Sequence, residues 1–167
     1  MDDEIDGGSE IVQQVAIDMG ATIERIQTAP DFRRMLVSRG GETVVVDLVR
    51  EYVFQVDEDK RTINGIRVDS PEEILANKLT ALLSRSEIRD LTDIYHLENA
   101  GYELEPAVRN AEQKDTGFSP AQLAWVLNGI ALRDDASLPG NIPVPVLRRY
   151  LAGLIQRLQR LAMPRSA

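Results

Sequence analysis

Three ionisable residues stand where apolar neighbours set the pattern, and they carry most of the chemistry this sequence offers. Ile74, Leu75, Leu79 and Leu82 recur at helical spacing and form one apolar stripe, and Lys78 falls inside it. Lysine rarely occupies a buried face unless it is paired or its amine reaches back to water. Arg85 follows on the same flank. A cation so placed either pairs with a carboxylate of the next helix, Asp90 being the candidate, or aims into a cleft at a phosphate or other anion. In Arg89-Asp90-Leu91-Thr92-Asp93, Asp90 aligns with Ile94 and Leu97 at the edge of a second apolar face, and Asp93 lies one turn along. These carboxylates either tie two helices together through Lys78, Arg85 or Arg89, or serve the same cleft. Asp47 interrupts Thr43-Val44-Val45-Val46-Asp47-Leu48-Val49. A carboxylate on a central strand carries a large desolvation cost unless it is paired or binds metal. At the strand's end, in a cleft, it is a candidate metal ligand or base; otherwise it starts the turn out of the strand.

Other chemistries find little support. The single histidine, His96, has no partner at metal-ligand spacing and reads as a surface or core-edge side chain. Trp125, among Leu123, Val126 and Leu127, reads as a core anchor. Gly7-Gly8-Ser9 is not a phosphate-binding Walker loop, because no Gly-Lys-Ser/Thr follows. No Ser/His/Asp arrangement is recognisable. The chain has no cysteine, which excludes disulfides, thiolate catalysis and cysteine metal sites.

The elements that must position these residues follow from period and punctuation. Residues 1–8 read as a frayed acidic end. Ser9 is placed to cap a helix ending at Met19, with Gly20 as its stop and Ile11, Val12, Val15, Ala16 and Met19 as its buried face. Residues 21–26 and 32–38 read as strands separated by Pro30, and Arg39-Gly40-Gly41-Glu42 as a hairpin turn. Residues 43–49, β-branched and apolar on both faces, read as a central, buried strand. Asn64-Gly65 between Thr62-Ile63 and Ile66-Arg67-Val68 marks a second hairpin. The pattern therefore predicts a small, mostly antiparallel sheet over residues 21–68. Beyond Val68 the period becomes helical. Ser70-Pro71-Glu72-Glu73 is a helix start in which Ser70 caps and Glu73 closes a capping box. Helices are expected to about Ser84, and over 87–99, 105–114, 119–130 and 144–163, with Ser119-Pro120 repeating the start signal.

Composition sets the outer limits. At 167 residues, with 43% hydrophobic and 28% charged residues, the chain is long enough for one self-supporting domain. No apolar run approaches a membrane span. The acidic N-terminus is unlike a signal peptide, so the cytoplasm is the expected compartment. The net charge of -8 disfavours broad duplex DNA binding, which rests on neutralising phosphates. The arginines Arg148, Arg149, Arg157, Arg160 and Arg165 read as a solvated helix face.

Taken together, Val46-Asp47-Leu48, Ser70-Pro71-Glu72-Glu73-Ile74-Leu75-Ala76-Asn77-Lys78-Leu79-Thr80-Ala81-Leu82-Leu83-Ser84-Arg85 and Arg89-Asp90-Leu91-Thr92-Asp93-Ile94-Tyr95-His96-Leu97 resemble the AbiEii/AbiGii-type nucleotidyltransferase family of abortive-infection toxins. Lys114-Asp115-Thr116-Gly117-Phe118-Ser119-Pro120 and the helix after it resemble the family's helical half. The resemblance covers roughly residues 10–162. It implies an α+β fold: a partial, nucleotidyltransferase-like mixed or antiparallel sheet over residues 1–69, packed as one domain with a helical region over 70–167. It implies catalytic roles for Asp47, Lys78 and Asp90, phosphate contacts from Lys78, Arg85 and Arg89, and a metal-ligand role for Asp47. Mg²⁺ and an NTP would be the cofactors, an RNA or protein the acceptor, and an antitoxin the cognate partner.

The family's first motif, Gly-Gly or Gly-Ser on a helix and then Asp-x-Asp on a strand, has no clear match. The sequence starts about where that motif would end. Gly7-Gly8-Ser9 with Asp18-Met19-Gly20 has loosely similar spacing, but Gly20 replaces the second carboxylate. Asp47 alone offers too few hard oxygen ligands to organise a triphosphate through Mg²⁺. The expectation is an inactive chain as given. It is then a shortened transferase, a pseudo-enzyme that binds a nucleotide or partner, or a chain that completes a site with another chain.

Overall fold

The protein is described here by a computed structural model covering residues 3–163. Met1, Asp2 and residues 164–167, including Arg165, lie outside the described residues. The fold is mixed α+β, as expected, and the chain forms two compact units, residues 1–52 and 53–167.

In the first unit a helix, α1 (Asp3–Asp18), lies on a three-stranded antiparallel meander of β1 (Thr22–Ala29), β2 (Phe32–Arg39) and β3 (Glu42–Val49). The register pairs Arg34 with Asp47 and Met35 with Val46. Side chains alternate across a strand, so Arg33, Met35, Val46 and Leu48 share the face under α1. Met35 is fully buried there, and Arg33 reaches Asp6 of α1 at 2.8 Å.

Two expectations are corrected here. The helix does not begin at Ser9 but six residues earlier, and Ser9 lies inside it, donating its hydroxyl to the Ile5 carbonyl at 3.0 Å. The sheet-facing side is Ile5, Gly8, Ser9, Val12 and Ala16, while Ile11, Val15 and Met19 are exposed. The small residues decide this. A Cβ on Gly8 would stand 3.3 Å from the Leu48 side chain, so this glycine of the stretch that reads as a frayed end marks a close approach of helix to sheet. The second correction concerns β3, which is an edge strand, not a central one. The order β1-β2-β3 puts β2 in the middle, and Val44, Val45 and Val49 are 62%, 55% and 59% exposed.

In the second unit β4 (Arg61–Ile63) and β5 (Ile66–Val68) form a separate two-stranded hairpin, so residues 21–68 make two sheets instead of one. Its turn is the expected one: Asn64 and Gly65 adopt φ of 51° and 81°, as a type I′ turn requires. Then come α2 (Pro71–Arg85), α3 (Ile88–Asn99), α4 (Leu104–Lys114), α5 (Pro120–Asn128), a single 3₁₀ turn (Pro139–Asn141) and α6 (Val144–Leu161). Ser70 and Ser119 cap as expected, each hydroxyl accepting from a backbone N–H three residues on at 3.2 Å. One contiguous core includes Leu75, Leu79 and Leu82 of α2, Leu91 and Ile94 of α3, Leu123 and Leu127 of α5, and Leu147, Leu154 and Leu158 of α6. Each fully buried leucine contributes about 1.5–3 kcal/mol, which makes α2 the spine on which α3, α4 and α5 are held. No helix among the described residues is long and apolar enough to cross a membrane.

Candidate functional site

The site grows out of the α2–α3 corner. Ser86, at φ 52°, ends α2, and its N–H donates to the Leu82 carbonyl. Only Ser86 and Glu87 separate α2 from α3. Leu91 and Ile94 then enter the core that Leu79 and Leu82 occupy, and this fixes the face α3 presents. Asp90 falls on that face, wholly buried.

A buried carboxylate is tolerated only when it is paired and hydrogen-bonded, and here it is met from α2 by two cations. Arg85 forks onto it, Nε donating to Oδ2 at 2.8 Å and Nη2 to Oδ1 at 2.9 Å. Lys78 Nζ donates to Oδ1 at 3.0 Å and also lies 2.5 Å from Asp93 Oδ2. Burial pushes the Asp90 carboxyl up, but the hydrogen bonds and charges of Arg85 and Lys78 outweigh it and hold the group below the usual carboxylate value. Burial likewise pushes Lys78 down, and its bonds to Asp93 and Asp90 more than reverse this. Both lysine and aspartate are therefore firmly charged. Lys78 keeps 26% of its side chain exposed and Arg85 45%, so each cation holds the buried anion and stays partly open to solvent.

The structure thus brings together Lys78, Arg85 and Asp90, with Asp93 as a fourth member. Arg89 is not on Asp90; it pairs with Glu87 at 2.6 Å. Asp47 belongs to the first unit. There its carboxylate is taken by its cross-strand neighbour Arg34, whose Nε and Nη2 donate at 2.8 and 2.7 Å. Those hydrogen bonds hold the Asp47 carboxyl below its ordinary value. Among the described residues no group of three or more His, Asp or Glu is arranged to hold a metal ion. With both Asp47 oxygens engaged by a guanidinium, the described residues do not fit a resident Mg²⁺.

A family model described as "Nucleotidyl transferase AbiEii toxin, Type IV TA system" matches residues 10–159, a span that contains both Asp47 and the Lys78–Arg85–Asp90 cluster. The chain belongs to the AbiEii family. No curated protein and no solved structure matches it.

In this AbiEii protein the remaining candidates separate cleanly. His96 is exposed and stands edge-on to the Tyr95 ring at 5.3 Å. Trp125 is 79% exposed, which overturns its reading as a core anchor: Leu123, Ala124 and Leu127 turn inward from α5 and the indole turns out. Of the α6 arginines, Arg157 is not simply solvated. It forks onto Glu98 of α3 at 2.5 and 2.7 Å, and Tyr150 donates its hydroxyl to the same carboxylate. Burial and that anion push the Tyr150 phenol up, so it stays a donor.

The sequence reading missed one buried pair. Glu73 does not close a capping box; its N–H bonds to Ser70, but its carboxylate turns inward to Lys114 of α4, and both side chains are almost fully buried. Glu73 Oε2 also accepts from the Val56 N–H at 2.5 Å, and Lys114 donates to the Phe54 carbonyl at 2.6 Å. The available signal was Glu73 standing three residues before Ala76 on the inward side of α2. The capping-box reading absorbed it.

Proposed function

We propose that this AbiEii-family chain binds the phosphate end of a nucleoside triphosphate at Lys78, with Arg85 beside it, and that the 167-residue chain alone carries out little or no nucleotidyl transfer. The observation that carries the first half is the fixed cation pair. Asp90 is buried and anchored, so Lys78 and Arg85 are pre-positioned on one helix corner, both partly exposed, with Asp93 on the outer side of Lys78 and Glu87 3.9 Å from Arg85. Phosphates need such convergent donors, and pre-positioning lowers the ordering cost of binding. The second half rests on the donor set around Asp47. Nucleotidyl transfer relies on metal ions that neutralise charge on the phosphates, and a lone carboxylate already forked by Arg34 does not supply a metal cage. In this reading the chain is the nucleotide-recognising part of a toxin–antitoxin transferase, and RNA or protein is the acceptor class that a complete site would serve.

The test uses the purified full chain. Each labelled NTP is incubated with Mg²⁺ or Mn²⁺ and an RNA or protein acceptor pool, while calorimetry measures NTP binding by wild type and Lys78→Met. Binding that Lys78→Met abolishes, without label transfer, is the expected result. Metal-dependent transfer that disappears in Asp47→Ala overturns the claim of inactivity. Absence of any NTP binding overturns the phosphate reading.

A further inference from the structure

Lys78 is held by two carboxylates of very different standing. Asp90 is fully buried and accepts three hydrogen bonds from two cations. Taking Lys78 away still leaves it Arg85, and taking both away would strand a buried anion. Asp93 is 45% exposed, and among the described residues its ion-pair partner is Lys78, at 2.5 Å. Turning its side chain to water exposes little and strands nothing. Counted together, Lys78, Arg85, Asp90 and Asp93 cancel, so an approaching polyphosphate meets a neutral cluster. With Asp93 turned outward the same cluster carries one net positive charge, and Lys78 has a free N–H direction on its solvent side.

We infer that Asp93 is an internal stand-in for phosphate: it occupies the solvent-facing position on Lys78 and must swing away for a polyphosphate to bind, while Asp90 stays as the permanent counter-ion. The inference rests on the phosphate reading of Lys78 and adds to it a built-in competitor that sets the affinity. The two carboxylates are one helical turn apart on α3, which allows one to release the amine while the other retains it.

The experiment is a double-mutant cycle read by calorimetry, with inorganic tripolyphosphate as the probe and the full chain in four forms: wild type, Asp93→Asn, Lys78→Met and the double variant. Far-UV circular dichroism checks that each is folded; Asp93→Asn is nearly isosteric at a half-exposed position. Removing a competing pair of this kind is expected to tighten binding about fivefold in Asp93→Asn, and the gain should vanish in the Lys78→Met background. Equal affinity in wild type and Asp93→Asn, with Lys78→Met weaker than both, overturns the competitor and leaves the phosphate site standing. A gain that persists without Lys78 also overturns it, because Asp93 then acts only through the general negative field. No binding in any form removes the phosphate reading, and the competitor with it.

Discussion

Replacing Asp90 by alanine should destabilise the second unit markedly. The carboxylate is wholly buried and accepts from Arg85 at 2.8 and 2.9 Å and from Lys78 at 3.0 Å. Breaking a buried ion pair costs about 3–5 kcal/mol, chiefly because the surviving charge is left without a partner. Here the survivors have somewhere to go. Lys78 keeps Asp93, and Arg85, 45% exposed, can hydrate. The cost should fall at the lower end, about 3 kcal/mol, and with a urea slope of about 2 kcal/mol per molar the midpoint should drop by about 1.5 M. Far-UV circular dichroism is the appropriate signal, since five of the six α-helices among the described residues belong to this unit. Asp90→Asn keeps the volume and adds a sharper test. The folded Asp90 carboxyl is held below its ordinary value, so its stabilisation is complete above the unfolded carboxylate range, near pH ~4, and is lost as pH falls through the folded value. Wild type should therefore lose stability faster than Asp90→Asn on acidification, and the two curves should converge. Lys78 has the opposite sign: its value is raised, so its share is complete below the unfolded lysine value and is lost as pH rises through the folded one. A midpoint change under about 0.3 M in Asp90→Ala, or parallel acid limbs, would refute the buried-anchor argument.

Other perturbations probe the rest of the unit. Lys114→Met removes the cation paired with the buried Glu73 carboxylate and should cost about 3–5 kcal/mol, and adding Glu73→Gln should recover part of that loss; equal stability of the single and double variants in urea would contradict the pairing. Trp125, the only tryptophan, should emit as a water-exposed indole, be quenched fully by acrylamide, and change stability by less than about 0.5 kcal/mol when replaced by alanine. A blue-shifted, protected emission would contradict its placement.

Much of this architecture could be read from the residues because local signals and tertiary packing agree. Ser70-Pro71 and Ser119-Pro120 start helices whose apolar stripes then point at one core, and Asn64-Gly65 permits little except the turn it makes. The pairing of Lys78 with Asp90 was likewise visible as a cation and an anion, each set into an apolar stripe. The failures share a cause: the residue type named an environment that the topology did not provide. Val44-Val45-Val46 looks central because it is apolar on both faces, yet a meander puts its middle strand in the centre, and that is β2. Trp125 looks like core by size, but its position on α5 opposes Leu123 and Leu127. Small residues misled in the other direction. Gly8 and Ser9 approach the sheet closely because they are small, while the bulkier Ile11 and Val15 remain outside. That Arg34 claims Asp47 depends on strand register, which a single strand's sequence does not specify.

The Glu73–Lys114 pair also imposes an order on synthesis. Glu73 leaves the ribosome 41 residues before its counter-ion, and Phe54 60 residues before the amine that binds its carbonyl. At translation rates of about 5–20 residues per second, the carboxylate waits about 2–8 s without its partner. During that interval α2 cannot dry its inner edge, because burying an unpaired anion is too costly. Residues 53–57 should therefore stay unanchored, with α2 and α3 formed beside them, until α4 emerges and supplies Lys114. A ribosome stalled before residue 114 would hold this segment where proteases and chaperones can still reach it.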